Sequence, residues 1–274
     1  MLLCYHRTMR LTVALAAATL LAAASAKAAD PLAEARRLYN ARMYDAAMRA
    51  AREAERQPAV AESARLVLGR IYLERYRQSA EPADLAAGRE TLRTVDARLL
   101  DARDRLELTI GLGEALYLED RFGAAAEMFE YALEASGTLG PAAHERLLDW
   151  WATALDRLAQ SRPRDARHPY YSRVLARMEK EIAKDPGSSP AAYWLTAAAR
   201  GCGDVDRAWN AASAGWVRAM LARDRGAALR ADLDRLVVQV IIPERAARLQ
   251  LRDSKPAVAG MLAEWEAFKS SWSR

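Results

Sequence analysis

Apolar residues recur three and four positions apart along almost the whole chain, the interval of an amphipathic helix. One spacing is repeated, with steps of three, four and three. It links Phe122, Ala125, Phe129 and Ala132, and again Tyr44, Ala47, Ala51 and Ala54. Leu85, Gly88, Leu92 and Val95 follow it, as do Val205, Ala208, Ala212 and Gly215. A looser copy at Tyr171, Val174, Met178 and Glu181 ends on a glutamate where a small residue is expected. The one β-branched cluster, Val237, Val238, Val240, Ile241 and Ile242, follows Leu233 and Leu236. Positions 233, 236, 237, 240 and 241 share a helical face, so this segment reads as helix and not strand. The chain is predicted to be all-α. Its richness in Ala, Leu, Arg and Glu, with only 13 Gly and 10 Pro, supports that prediction.

The segment Gly113–Ala135, GEALYLEDRFGAAAEMFEYALEA, shows what the spacing is for. Gly113 and Ala125 mark the place where two antiparallel helices cross closely, and Phe122 and Phe129 fill the space around the crossing. This pattern resembles the tetratricopeptide repeat, and the resemblance covers about residues 31 to 218. It implies a right-handed α-solenoid of helix hairpins. The separations between units are irregular against a family period of about 34 residues. The excess is expected in two long turns, Glu74 to Ala83 and Gln160 to Pro169.

Both ends depart from the repeat. Arg7 and Arg10 precede an uncharged stretch from Leu11 to Ala26 that closes on small residues, the form of a secretory signal over residues 1–28. Its removal takes away Arg7, Arg10 and Lys27 and no acidic residue, so the formal charge of +5 overstates the attraction to polyanions. Cys4 goes too, leaving Cys202 without an internal disulfide partner. The mature chain is expected to be periplasmic or secreted, with repeats over 30–219 and capping helices over 220–274. Residues 226 to 251 give one or two helices broken at Pro243. Pro256 opens a last helix with Val258, Met261, Leu262, Trp265, Phe268 and Trp272 on one side. Solenoid ends need such a cap; the competing reading of the Trp265–Trp272 helix is a contact for a partner.

Candidate chemistry is thin. His144 and His168 read as surface or loop histidines, and Leu148 stands where a His-Glu-x-x-His zinc motif needs its second histidine. Cys202 reads as a small residue in a turn. Gly111-Leu112-Gly113 lies within a helical pattern, and Leu116 replaces the third glycine of a dinucleotide loop. Arg162, Arg164, Arg167 and Arg173 surround Tyr170 and Tyr171, but Asp165 interrupts the run, so nucleic acid is not expected. No metal, cofactor or catalytic centre is expected.

Function is then read from the resemblance, which implies a non-catalytic scaffold of the cell envelope that binds a partner protein in its concave groove. Aligning units on their small residues puts Arg36 and Tyr39, Arg70 and Leu73, Glu107, Glu114 and Tyr117, and Tyr193 and Arg200 on that groove. Leu66 and Ile110 could instead pack between hairpins. Leu32, Leu66, Ile110 and Tyr193 occupy the places of the lysine by which some relatives clamp a carboxylate. An internal segment or folded surface is therefore the expected ligand, and any membrane contact is indirect. The runner-up is a helical part of a peptidoglycan-acting enzyme system, or an all-α glycan hydrolase using Glu107 and Glu114. N-terminal sequencing of exported protein should begin near Lys27 or Ala29. Recovery of an intact Met1 or Met9 in the membrane fraction would show an anchor instead.

Overall fold

The computed structural model describes residues 30–222 and 224–272; the signal-like segment lies outside them. Among the described residues there is no strand, and helices pack against their neighbours in sequence order. The chain divides into two compact units, the boundary falling between Leu99 and Leu100.

The first unit contains α1 (Pro31–Asn40), α2 (Tyr44–Glu55), α3 (Ala61–Ser79) and α4 (Pro82–Arg93). The second contains α5 (Ala102–Leu118), α6 (Phe122–Ala135), α7 (Pro141–Gln160), α8 (His168–Lys184), α9 (Ser189–Gly201) and α10 (Val205–Arg218). It closes with α11 (Ala227–Leu236), α12 (Ile242–Ala247) and α13 (Lys255–Trp272). Helix starts follow local chemistry. Asp30, Asp101, Ser188 and Asp204 each accept a first-turn backbone N–H, and Pro31, Pro82, Pro141, Pro169 and Pro190 stand in first turns, where no N–H is needed.

Three hairpins turn in the same way. α1 and α2 are joined through Arg42, α5 and α6 through Asp120, and α9 and α10 through Gly203, each with positive φ (59°, 57° and 83°). In each turn two backbone N–H groups cap the first helix: Arg42 to Tyr39 O and Met43 to Leu38 O, Asp120 to Tyr117 O and Arg121 to Leu116 O, Gly203 to Arg200 O and Asp204 to Ala199 O. Such a left-handed cap satisfies carbonyls that the helix end would otherwise leave bare. The second helix begins two residues after the turn residue, with Ala47, Ala125 and Ala208 in equivalent places, all fully buried.

The repeated spacing is the buried seam. Ala47, Ala51 and Ala54, Gly88 and Leu92, Ala125, Phe129 and Ala132, Val174 and Met178, and Ala208, Ala212 and Gly215 are all buried. A Cβ on Gly113 would lie 2.7 Å from Phe129 Cε1; on Gly69, 2.6 Å from Leu92 Cγ; on Gly88, 2.7 Å from Leu73 Cδ2. These are the close crossings inside the α5–α6 and α3–α4 hairpins.

Two expectations are corrected. Glu74 to Ala83 is not a long turn: α3 runs to Ser79, since nothing in the segment breaks a helix, and Pro82 already belongs to the first turn of α4. Pro243 does not break its helix either. A π-helical turn, Val237–Ile241, precedes it, and the chain stays helical from Ala227 to Ala247. Widening the turn relieves the clash a proline makes with the carbonyl four residues earlier and absorbs its missing N–H.

The last helix packs onto the second unit. Trp265 is fully buried and meets Trp209 and Trp216 of α10 edge-on, both at 5.6 Å between centroids, while Phe268 stacks on its other side. Its indole N–H donates to Asp234 Oδ1 at 2.8 Å, and Lys269 Nζ reaches the same oxygen at 2.6 Å. Trp272, by contrast, is largely exposed.

Ala125→Glu should cost about 3–5 kcal/mol, the effect of an uncompensated buried charge, and Gly113→Ala about 1–3 kcal/mol through overpacking. Gly137→Ala, where an added Cβ meets nothing within 4 Å, should leave the melt unchanged. Equal effects from all three in thermal denaturation would refute this seam.

Candidate functional site

In the first unit the expected groove residues separate into two kinds. Tyr39 of α1 and Arg70 of α3 meet, the guanidinium 5.2 Å from the ring centroid, and Tyr39 also packs on Tyr44 at 5.9 Å. Arg36 lies half-buried on the same helix as Tyr39. Leu73 is different: it is fully buried against Gly88 and belongs to the α3–α4 seam. Leu66 is fully buried as well. α3 buries Ala64, Leu66, Val67, Leu68, Gly69, Ile71 and Leu73, more than one face's worth, so its position in the register alone does not place a residue at the surface.

In the second unit Glu107 is ion-paired to Arg103 at 3.2 Å, and Tyr117 packs edge-on against Phe122 at 5.4 Å. Glu114 is fully buried, so it cannot meet a ligand or form an open carboxylate pair with Glu107. Ile110 is buried too. Tyr193 packs edge-on against Trp194 at 5.3 Å, and the Trp194 indole donates to Asp149 at 2.7 Å. Burial pushes the Tyr193 phenol up, and the nearby carboxylates of Asp232, Asp156 and Asp149 add to the shift. Arg200 grips Glu244 of α12 through Nε, at 3.0 and 3.1 Å, and Nη2, at 2.5 Å, and that carboxylate raises its pKa. Arg36, Tyr39, Arg70, Glu107, Tyr117, Tyr193 and Arg200 thus remain at least partly accessible, whereas Leu73 and Glu114 are core.

The second helices use their charges on one another. Arg173 of α8 pairs with Glu127 of α6 at 2.8 Å and with Glu130, and Arg177 of α8 with Glu134 of α6 at 2.8 Å. Glu179 of α8 pairs with Arg207 of α10, and Asp206 of α10 with Arg245 of α12 at 3.1 Å. Exposed pairs stabilise little individually, but this row leaves fewer free charges on that side. Arg173, expected in a basic run, is consumed in it.

His144 is not the surface or loop residue expected. It lies in the first turn of α7, three-quarters buried, between two buried polar groups. Its Nδ1 is 2.7 Å from Ser136 Oγ, and its Nε2–H donates to Glu181 Oε2 at 2.9 Å. The Ser136 hydroxyl is fully buried and bonds the Leu133 carbonyl at 2.6 Å, so the trio presents no nucleophile to solvent. Glu181 also accepts from Arg177 Nε at 2.8 Å. Burial pushes the Glu181 carboxyl up, but the hydrogen bonds and charges of His144 and Arg177 outweigh it and hold the group below its usual range. The polar residue that spoiled the fourth copy of the spacing is therefore a buried ion-pair partner. The signal was the glutamate itself: a charge at a seam position requires a partner. Among the described residues no group of three or more His, Cys, Asp or Glu could hold a metal ion.

A carboxylate whose folded pKa is depressed stabilises the fold above the ordinary glutamate range and loses that contribution as pH falls through it. Glu181→Gln should therefore flatten the acid loss of stability below about pH 4.3. His144→Ala should cost about 1–3 kcal/mol by leaving Ser136 and Glu181 short of a partner, against under about 1 kcal/mol for Cys202→Ser. Urea titrations at pH 7 and at pH 3 read both effects; equal costs for the two variants would contradict the buried trio. No family model matches this chain, and no curated protein matches it.

Proposed function

We propose that the protein is a non-catalytic scaffold of tetratricopeptide-like hairpins, exported to the envelope or beyond, that holds a partner protein on the faces of its first helices. The reading includes right-handed stacking of the hairpins within each unit, with the last helices as a cap. The observation that carries it is the hairpin turn used three times over: the same backbone caps at Arg42, Asp120 and Gly203, each leading to a buried alanine in the same register. Repetition of one supersecondary unit is the signature of repeat scaffolds, whose common use is to present an extended binding surface.

The contact residues in this reading are Arg36, Tyr39 and Arg70 in the first unit, and Glu107, Tyr117, Tyr193 and Arg200 in the second. Tyrosine and arginine are frequent anchors of protein interfaces because each offers a large contact area with few rotatable bonds or a rigid donor fork. Leu73 and Glu114 drop out because they are buried.

Tyr39→Ala/Arg70→Glu should melt within a few degrees of wild type and lose the proteins that wild type retains in pull-downs from the native envelope. Retention of the same proteins at the same affinity would overturn the assignment.

A further inference from the structure

The first unit has a second surface, on the side of α3 opposite Arg70. Two clefts follow one another there, walled by α2 and α4 and floored by α3. The larger, about 540 Å³, is lined by Arg42, Tyr44, Arg49, Arg75, Ser79 and Asp84 among others. The smaller, about 330 Å³, is lined by Arg52, Arg65, Leu68, Tyr72, Thr91 and Thr94 among others. From Arg65 to Ser79 the floor extends about 20 Å at the helical rise, the length of about six residues of extended chain.

The charges in this trough are unevenly satisfied. Arg75 bridges Asp45 at 3.3 Å and Asp84 at 3.2 Å, and Arg65 is held by Glu55 at 3.0 Å and Glu62 at 2.6 Å. In the turn before α2 and on α2 itself, Arg42 and Arg49 pair with no carboxylate among the described residues, and Arg52 donates only to the Tyr72 hydroxyl at 3.2 Å. The other described arginines of this unit each have a partner. Arg42, Arg49 and Arg52 thus line the α2 side of the trough without a carboxylate partner among the described residues. Arg42 also takes the left-handed conformation that Gly203 adopts in the equivalent turn, at a steric cost glycine avoids.

We infer that this trough binds an extended acidic segment of a partner protein, its carboxylates on Arg42, Arg49 and Arg52 and its backbone along Thr91, Thr94, Gln78 and Ser79. Guanidinium forks match carboxylates; the Gln78 amide can donate to a peptide backbone, while the Ser79 and Thr94 hydroxyls, which donate to Arg75 and Thr91 carbonyls, can only accept from it. A dense polyanion fits less well: Asp45, Glu55, Asp84 and Glu90 also line the trough and would repel continuous phosphates. This surface is separate from the Arg36–Tyr39–Arg70 face and stands or falls independently of it.

The test is fluorescence anisotropy with the full mature chain and a labelled decapeptide of alternating Glu and Ser. Its Gln-Ser analogue, a ten-nucleotide oligothymidylate and phosphatidylglycerol vesicles serve as alternative probes. Arg42→Glu/Arg49→Glu/Arg52→Glu is compared with a variant of equal charge change at exposed positions elsewhere, Arg121→Glu/Arg146→Glu/Arg157→Glu, with circular dichroism confirming both folds. Binding of the Glu-Ser peptide, weakened at least tenfold only by the trough variant and absent for the Gln-Ser analogue, supports the inference. No binding by wild type, equal weakening by both variants, or tighter trough-dependent binding of the oligonucleotide or vesicles overturns it.

Discussion

Where Gly113 passes Phe129, two backbones come so close that one added methyl group would collide with the ring. Gly69 with Leu92, and Gly88 with Leu73, repeat the contact in the α3–α4 hairpin. Close approach of this kind lets dispersion forces act between whole helix faces rather than between side-chain tips. It also dictates the rest of each hairpin. Once the seam is set, the remaining directions on each helix are left for the next hairpin, for solvent or for a ligand. The chain has few large aromatic residues in its first unit, whose core is mostly alanine and leucine. The second unit adds tryptophans, with Trp151 in the α5–α9 core, and Trp209 and Trp216 of α10 against Trp265 of the last helix.

Much of this was legible in the sequence, because a seam of small residues leaves a periodic trace that needs no knowledge of what lies across it. Ala47, Ala125 and Ala208 are recognisable from spacing alone, and so is the last helix that Pro256 opens. What spacing does not reveal is which neighbour a face meets. Leu73 has the register of a groove residue, yet α3 buries several faces and Leu73 falls on the one that meets Gly88. Glu114 fails for the same reason in α5. His144 and Glu181 are separated by 37 residues, and only the fold brings them to hydrogen-bonding distance. The clefts along α3 depend on side chains from three helices and left no trace in any single segment.

Charge is sorted by position in the fold. In the second unit Arg173, Arg177, Arg207 and Arg245 each pair with a carboxylate of a neighbouring helix, linking α6, α8, α10 and α12. Tyr193 sits instead near carboxylates of α7 and α11. In the first unit, α2 keeps arginines that its neighbours do not neutralise. A nearly balanced composition therefore hides local fields of opposite sign, which net charge alone could not disclose.

The π-helical turn before Pro243 acts as a phase shifter. It places one more residue in the turn than an α-helix would, so everything after it is rotated by about 100° relative to a continuous α-helix. Glu244, which holds Arg200, and Arg245, which reaches Asp206, both come after that offset. The angular alignment of α12 with α9 and α10 is thus encoded as a residue count, not as a side-chain choice. A one-residue deletion that straightened the helix would keep every amino acid of those ion pairs and aim them at the wrong neighbours.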